Sequence, residues 1–139
     1  AYAEGRVPAG LVTAEWFAQV ARVLAPGGLL LANVADEPGM RYASRVAAGA
    51  REALPHTAFV ALHEVLKGRR FGNLVLVAAD RALDLYTLRR AVASAALPTG
   101  VLPGHDLERR RPEARPFRSA TGDVAASPPP PERDGWRRR

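Results

Sequence analysis

The 139-residue chain has no cysteine, which removes disulfide frameworks, thiolate zinc sites, iron–sulfur clusters and thiol nucleophiles together. Histidine is scarce, and His56, His63 and His105 are too scattered to build a metal centre from sequence. Lysine is nearly absent, since Lys67 stands alone among 20 basic residues. No apolar run approaches the ~18 residues that cross a bilayer, so no membrane partner is expected. The chain opens Ala1-Tyr2-Ala3-Glu4-Gly5, without an initiator Met or the basic and apolar stretches of a signal peptide, and it reads as a piece of something longer.

What is present is the composition of a globular domain. Hydrophobic residues make up 47% and charged residues 24%, enough for one core and short for two. The net charge of +6 is divided evenly, +3 before residue 105 and +3 from there to Arg139. Neither part is a basic stripe with interleaved aromatics, so no nucleic-acid partner is expected. The arginine bias, beside 27 alanines, reads as genome composition.

Periodicity places the elements. Thr13 to Leu24 carries Trp16, Phe17, Val20, Val23 and Leu24 on one helical face with Thr13 as N-cap, and stops at Ala25-Pro26-Gly27-Gly28. Leu29 to Ala35 is a continuous apolar run, as expected of a strand buried on both faces of a parallel sheet. Asp36-Glu37-Pro38-Gly39 breaks it, and a helix is predicted from Met40 to Leu54, ahead of Pro55. Thr57 to His63 and Asn73 to Ala79 read as an antiparallel strand pair with a long connection, and Asp84 to Ala96 as a further helix ending at Pro98.

Beyond Pro103 the apolar residues thin out and six of the 12 prolines follow, four of them at Pro128 to Pro131. The predicted organisation is a folded part over 1–103 and a disordered Pro/Arg-rich tail over 104–139. Helix, Pro-Gly-Gly turn, buried strand, helix and antiparallel pair define an α/β fold class, the C-terminal half of a doubly wound sheet. No Gly-rich phosphate-cradling turn occurs in these residues.

The segment Gly10-Leu11-Val12-Thr13-Ala14-Glu15-Trp16-Phe17, followed by Val23-Leu24-Ala25-Pro26-Gly27-Gly28, resembles the second half of a spermidine synthase-like (polyamine aminopropyltransferase) domain. The resemblance runs from about Ala1 to Asp80 and implies a Rossmann-like, class I methyltransferase fold. It further implies a small-molecule amine as substrate and S-adenosylmethionine or its decarboxylated form as cofactor of the full-length protein, with no cofactor bound by this chain alone. A cytoplasmic location and a homodimer are expected on the same ground.

Carried over residue by residue, the resemblance puts the family's proton-accepting Asp one position before Ala1. Ala3 falls where a second Asp holds the diamine, with Glu4 beside it as a shifted carboxylate. Val7, with Pro8 adjacent, falls where a Pro lies near the thioether product, and Asn33 where a Gln contacts the amine. The family's Tyr-Pro-Ser-Gly loop is represented by Val65-Leu66-Lys67-Gly68, of which only Gly68 is retained. The candidate substrate residues are therefore Ala3, Glu4 and Asn33, the candidate cofactor residues Val7 and Pro8, and no catalytic residue is assigned. Arg69 and Arg70 have the chemistry to face an anion, and His63-Glu64 form a lone acid–base pair at a strand end. The readings open on these residues are a fragment of an aminopropyltransferase-like protein, a methyltransferase of the same fold, and a non-catalytic homologue serving as a structural or interaction module.

Overall fold

A computed structural model describes residues 5–132. Helix α1 (Ala14–Val23) begins where the sequence places it. Thr13 stays extended, and its Oγ1 accepts a hydrogen bond from the Trp16 N–H at 3.2 Å, satisfying one of the unpaired amides of the first turn. Phe17 is fully buried, with Trp16 edge-on to it at 5.1 Å. The helix ends before Pro26. Gly27 takes φ +73°, and the Gly28 N–H closes the reversal onto the Ala25 carbonyl at 2.8 Å.

Strand β1 (Leu30–Asp36) leads into α2 (Arg41–Ala53), and α2 into β2 (His56–Leu62). The buried face of α2 is built from small side chains, Ala43, Val46, Ala47 and Ala50. At Gly49 an added Cβ would sit 3.4 Å from the Ala14 nitrogen, so the absence of a side chain there lets α1 and α2 approach closely. One helical turn, α3 (His63–Leu66), connects β2 to β3 (Gly72–Ala79), which is followed by α4 (Leu85–Ala93), β4 (Thr99–Pro103) and α5 (Gly104–Arg110). Helix α4 is shorter than the predicted 84–96. Asp84 caps it by accepting the Thr87 N–H at 2.9 Å.

The four strands form one sheet in the order β1-β3-β2-β4, with every neighbouring pair antiparallel. Strands β1 and β2 therefore point the same way, joined by α2 in a strand–helix–strand crossover, with β3 filling the slot between them. Phe59 pairs with Leu76 on one side and Leu102 on the other. With Val34, Leu74 and Leu76, Phe59 packs in the core cluster that also contains Phe17 and Val46.

Three expectations change. The β2/β3 pair is antiparallel as read, but β1 is not buried on both faces of a parallel sheet. Among the described residues it pairs with β3 only, antiparallel, and leaves Leu29 55% and Leu31 63% exposed. A continuous apolar run carries information about burial and none about strand direction, which the partner decides. Strand β4 was not anticipated, because Thr-Gly-Val-Leu-Pro is short and bounded by prolines, features that normally demote a strand.

The third change concerns residues 104–127, which do not form a structureless tail. Leu107, Phe117 and Ser127 are buried. Phe117 bridges to Thr13, and its carbonyl accepts the Ala14 N–H at 2.9 Å. Low apolar density hides this packing, since one Leu and one Phe suffice to anchor a segment that otherwise runs along the surface. Residues 133–139 of the expected tail lie outside the described residues.

Candidate functional site

Open α/β sheets bind ligands at the carboxyl ends of their strands. In this chain the loops after β1 and β2 meet at such an end. The Gly39 N–H donates to the Gly68 carbonyl at 3.1 Å, with both glycines at positive φ. Met40, next to Gly39, is also left-handed at φ 55°, a conformation uncommon for a side chain of this kind. The turn is held from several directions: Met40 N–H donates to Glu37 O, Ser44 Oγ donates to Met40 O at 2.6 Å, and Arg111 Nε donates to Gly39 O at 3.0 Å. Arg110 reaches the last residue of α3 by donating to Leu66 O at 2.8 Å.

Asp36 ends β1 and is 1% exposed. Its two carboxylate oxygens accept from the Glu37 and Ala43 amides, each at 2.7 Å. Through Ala43 it satisfies an amide of the first turn of α2, a capping role although it precedes the helix by five positions. Burial pushes its pKa up to about 6 despite those hydrogen bonds. Tyr42 is buried beside it, its hydroxyl without a hydrogen-bond partner among the described residues. Burial, reinforced by the Asp36 charge, holds that phenol well above its usual range.

Beside the start of α2 lies a cavity of about 530 Å³ whose lining includes Arg41, Arg45, Arg111, Arg115, Glu113 and Asp123. A second, of about 520 Å³, separates the end of α4 from β4 and includes His63, Arg89, Leu97 and Gly100.

The residues singled out from sequence are dispersed. Ala3 and Glu4 lie outside the described residues. Val7 is a core residue: its N–H donates to Ser127 Oγ at 2.8 Å and its carbonyl accepts from the Ser127 N–H at 3.2 Å, so any ligand contact from its side chain would displace core packing. Pro8 is half-buried at the entry to a 3-10 turn, Ala9–Leu11. Asn33 is exposed on β1, opposite Val75 of β3. Val65 and Leu66 are buried, and together with His63 and Glu64 they form the helical turn α3, not an open loop; Gly68 closes the turn that follows. Glu64 is tied to Lys67 at 3.0 Å and Arg69 at 3.8 Å. The hydrogen bond from Lys67 holds its carboxyl below the ordinary range. Asp36 and Tyr42 were not singled out. In the sequence Asp36 reads as a residue that breaks the strand, although a carboxylate directly after an apolar run and ahead of a helix is a recognisable capping signal.

A strand–helix–strand crossover with an antiparallel strand inserted between its two strands, entered through a helix and a Pro-Gly-Gly reversal, is the architecture of the C-terminal half of a Rossmann-like transferase domain. The chain has a spermidine synthase-like fold: it superposes on a probable spermidine synthase from Corynebacterium glutamicum with a TM-score of 0.74 and 28% sequence identity. The match covers 86% of this chain and 45% of that one, so this chain spans less than half the length of the protein it resembles. No protein-family model and no curated protein matches the sequence. Among the described residues, no helix is long and apolar enough to cross a membrane.

Proposed function

We propose that this chain is the C-terminal part of a spermidine synthase-like transferase that, in its full-length form, moves an aminopropyl group from decarboxylated S-adenosylmethionine to an amine. The observation that carries the reading is the structural match across 86% of the chain to a probable spermidine synthase. In the proposed reaction the lone pair of a neutral amine attacks the methylene carbon beside the sulfonium. A C–N bond forms, the C–S bond breaks, the thioether leaves, and the amine proton passes to a base. Positioning and proton acceptance are the protein's contribution.

In this reading Asn33 serves the amine and Pro8 the thioether, with Val7 acting through the core to place that loop, and the resemblance assigns Ala3 and Glu4 to the amine as well. The co-substrate itself is held by residues beyond this chain. The 139 residues alone are inactive, because a ligand of this size must be largely enclosed before its contacts outweigh lost translational and rotational freedom. A cytoplasmic enzyme working as a homodimer completes the proposal, on the family resemblance.

The test is a product assay with the full-length protein, a panel of diamines and both forms of the co-substrate, read by mass spectrometry. An amine enlarged by one aminopropyl group is the expected product. Methyl transfer from S-adenosylmethionine would replace this reading by the methyltransferase one, and no transfer to any amine would leave a non-catalytic homologue. Calorimetric titration of the 139-residue chain should show no binding of either co-substrate form; a low-micromolar dissociation constant, about −8 kcal/mol, would place the cofactor site within this chain and overturn the fragment reading.

A further inference from the structure

The arginine-lined cavity beside α2 is unsuited to a polyamine, which is itself a cation. Four guanidiniums, Arg41 and Arg45 from α2 and Arg111 and Arg115 from the segment after α5, share it with two carboxylates, Glu113 and Asp123, in about 530 Å³. Two of the four are fixed in place. Arg45 pairs with Asp123, donates its Nε to the Arg115 carbonyl at 2.8 Å, and lies over the Phe117 ring at 4.0 Å. Arg111 donates to Gly39 O at 3.0 Å and reaches Glu113 at 3.5 Å.

Glu113 is held ionised by a backbone hydrogen bond, by Arg111 and by the charge of Arg41. Its carboxylate and that of Asp123 therefore cancel two of the four positive charges, and two remain. Arg41 and Arg115 stand exposed at this cavity. The first turn of α2 is not the attraction, because Asp36 already accepts the Ala43 amide there. The guanidiniums make the site, and their planar forks suit an oxyanion that accepts from two sides. A cavity of this volume also has room for the organic part of a small ester.

We propose that this cavity binds a phosphoryl group, a dianionic tetrahedral oxyanion held between Arg41 and Arg115, with Arg45 and Arg111 as fixed walls. The site is independent of aminopropyl transfer, and its presence or absence leaves that reading untouched.

The probe is inorganic phosphate, titrated into the 139-residue chain at constant ionic strength, with succinate as the carboxylate counterpart. Saturable phosphate binding is expected, at least tenfold tighter than succinate. Replacing both exposed arginines (R41Q with R115Q) should weaken it at least tenfold, whereas R89Q with R90Q, an equal loss of charge on α4, should change it less than twofold. A second measurement needs no variant: phosphate should protect Arg41 and Arg115, but not Arg89 and Arg90, from phenylglyoxal as mapped by mass spectrometry. Absence of saturation at millimolar phosphate, equal weakening by the α4 pair, succinate binding as tight as phosphate, or protection spread evenly over all four arginines would each overturn the proposal.

Discussion

Val7 and Ser127, 120 positions apart, exchange two hydrogen bonds: the Val7 N–H donates to Ser127 Oγ at 2.8 Å, and the Ser127 N–H donates to Val7 O at 3.2 Å. Arg6 adds a third by donating to Ser127 O at 2.6 Å. Ten residues upstream, the Phe117 ring packs against Tyr42 in a tilted arrangement at 5.4 Å and carries the Arg45 guanidinium over it at 4.0 Å. Glu15 of α1 holds the stretch between them by accepting the Ser119 and Ala120 amides. Residues 117–127 are thus a strap closed over α1 and α2.

The strap should contribute measurably to stability. Ser127→Ala leaves the Val7 amide buried without its acceptor and should cost about 1–2 kcal/mol, and Phe117→Ala about 3 kcal/mol. Deleting 116–139 removes both anchors and should broaden or abolish cooperative thermal unfolding. An unchanged transition after that deletion would mean the strap rests on the surface without stabilising it.

Asp36 makes stability depend on pH in a sense opposite to that of most carboxylates. Its folded pKa, about 6, exceeds the ordinary 3.8, so between those values the folded state holds the proton more often than the unfolded chain. Its contribution is complete below about pH 4 and declines as pH rises through about 6, by about 2–3 kcal/mol in all. Glu15, brought down to about 2 by backbone hydrogen bonds from its own amide and those of Ser119 and Ala120, acts the other way, losing its contribution as pH falls. The comparison of wild type with Asp36→Asn isolates the first effect. Denaturant midpoints measured from pH 4 to 7 should show the variant gaining on the wild type as pH rises; parallel curves would refute the buried-acid assignment.

The Pro-Gly-Gly reversal should tolerate no side chain at its second glycine. A Cβ on Gly28 would lie 2.9 Å from the Ala25 carbonyl oxygen, which is backbone and has little freedom to retreat. Gly28→Val should lower the thermal midpoint and the soluble yield. Gly27→Ala, at φ +73°, should cost about 1 kcal/mol. If the Gly28 variant unfolded at the wild-type temperature and lost only ligand binding, the turn would be functional and not conformational.

Much of the first hundred residues was legible in the sequence. Thr13 as a cap, the stop at Pro26, and the β2/β3 pair follow from side-chain period and turn chemistry, which act over a few residues. The candidate site was far less legible. Val7 aligned with a ligand contact and became a core residue, because its partner Ser127 lies at the other end of the chain. Arg41 and Arg45 look like ordinary exposed helix arginines until Arg111 and Arg115 are brought beside them. Asp36 looks like a strand breaker in the sequence, and only the fold brings the Ala43 amide to it.

The sequence by itself determined the cap and stop of α1, the positions of β1, α2, β2 and β3 and the apolar face of α1, since propensity, capping and periodicity are local and are written in neighbouring residues. Only the tertiary structure decided that β3 enters between β1 and β2, that β4 extends the sheet past β2, and that residues 104–127 fold back over α1 and α2. Those outcomes depend on contacts between residues far apart in the chain. A single buried Phe or Ser in the right place then outweighs the composition of the segment that carries it.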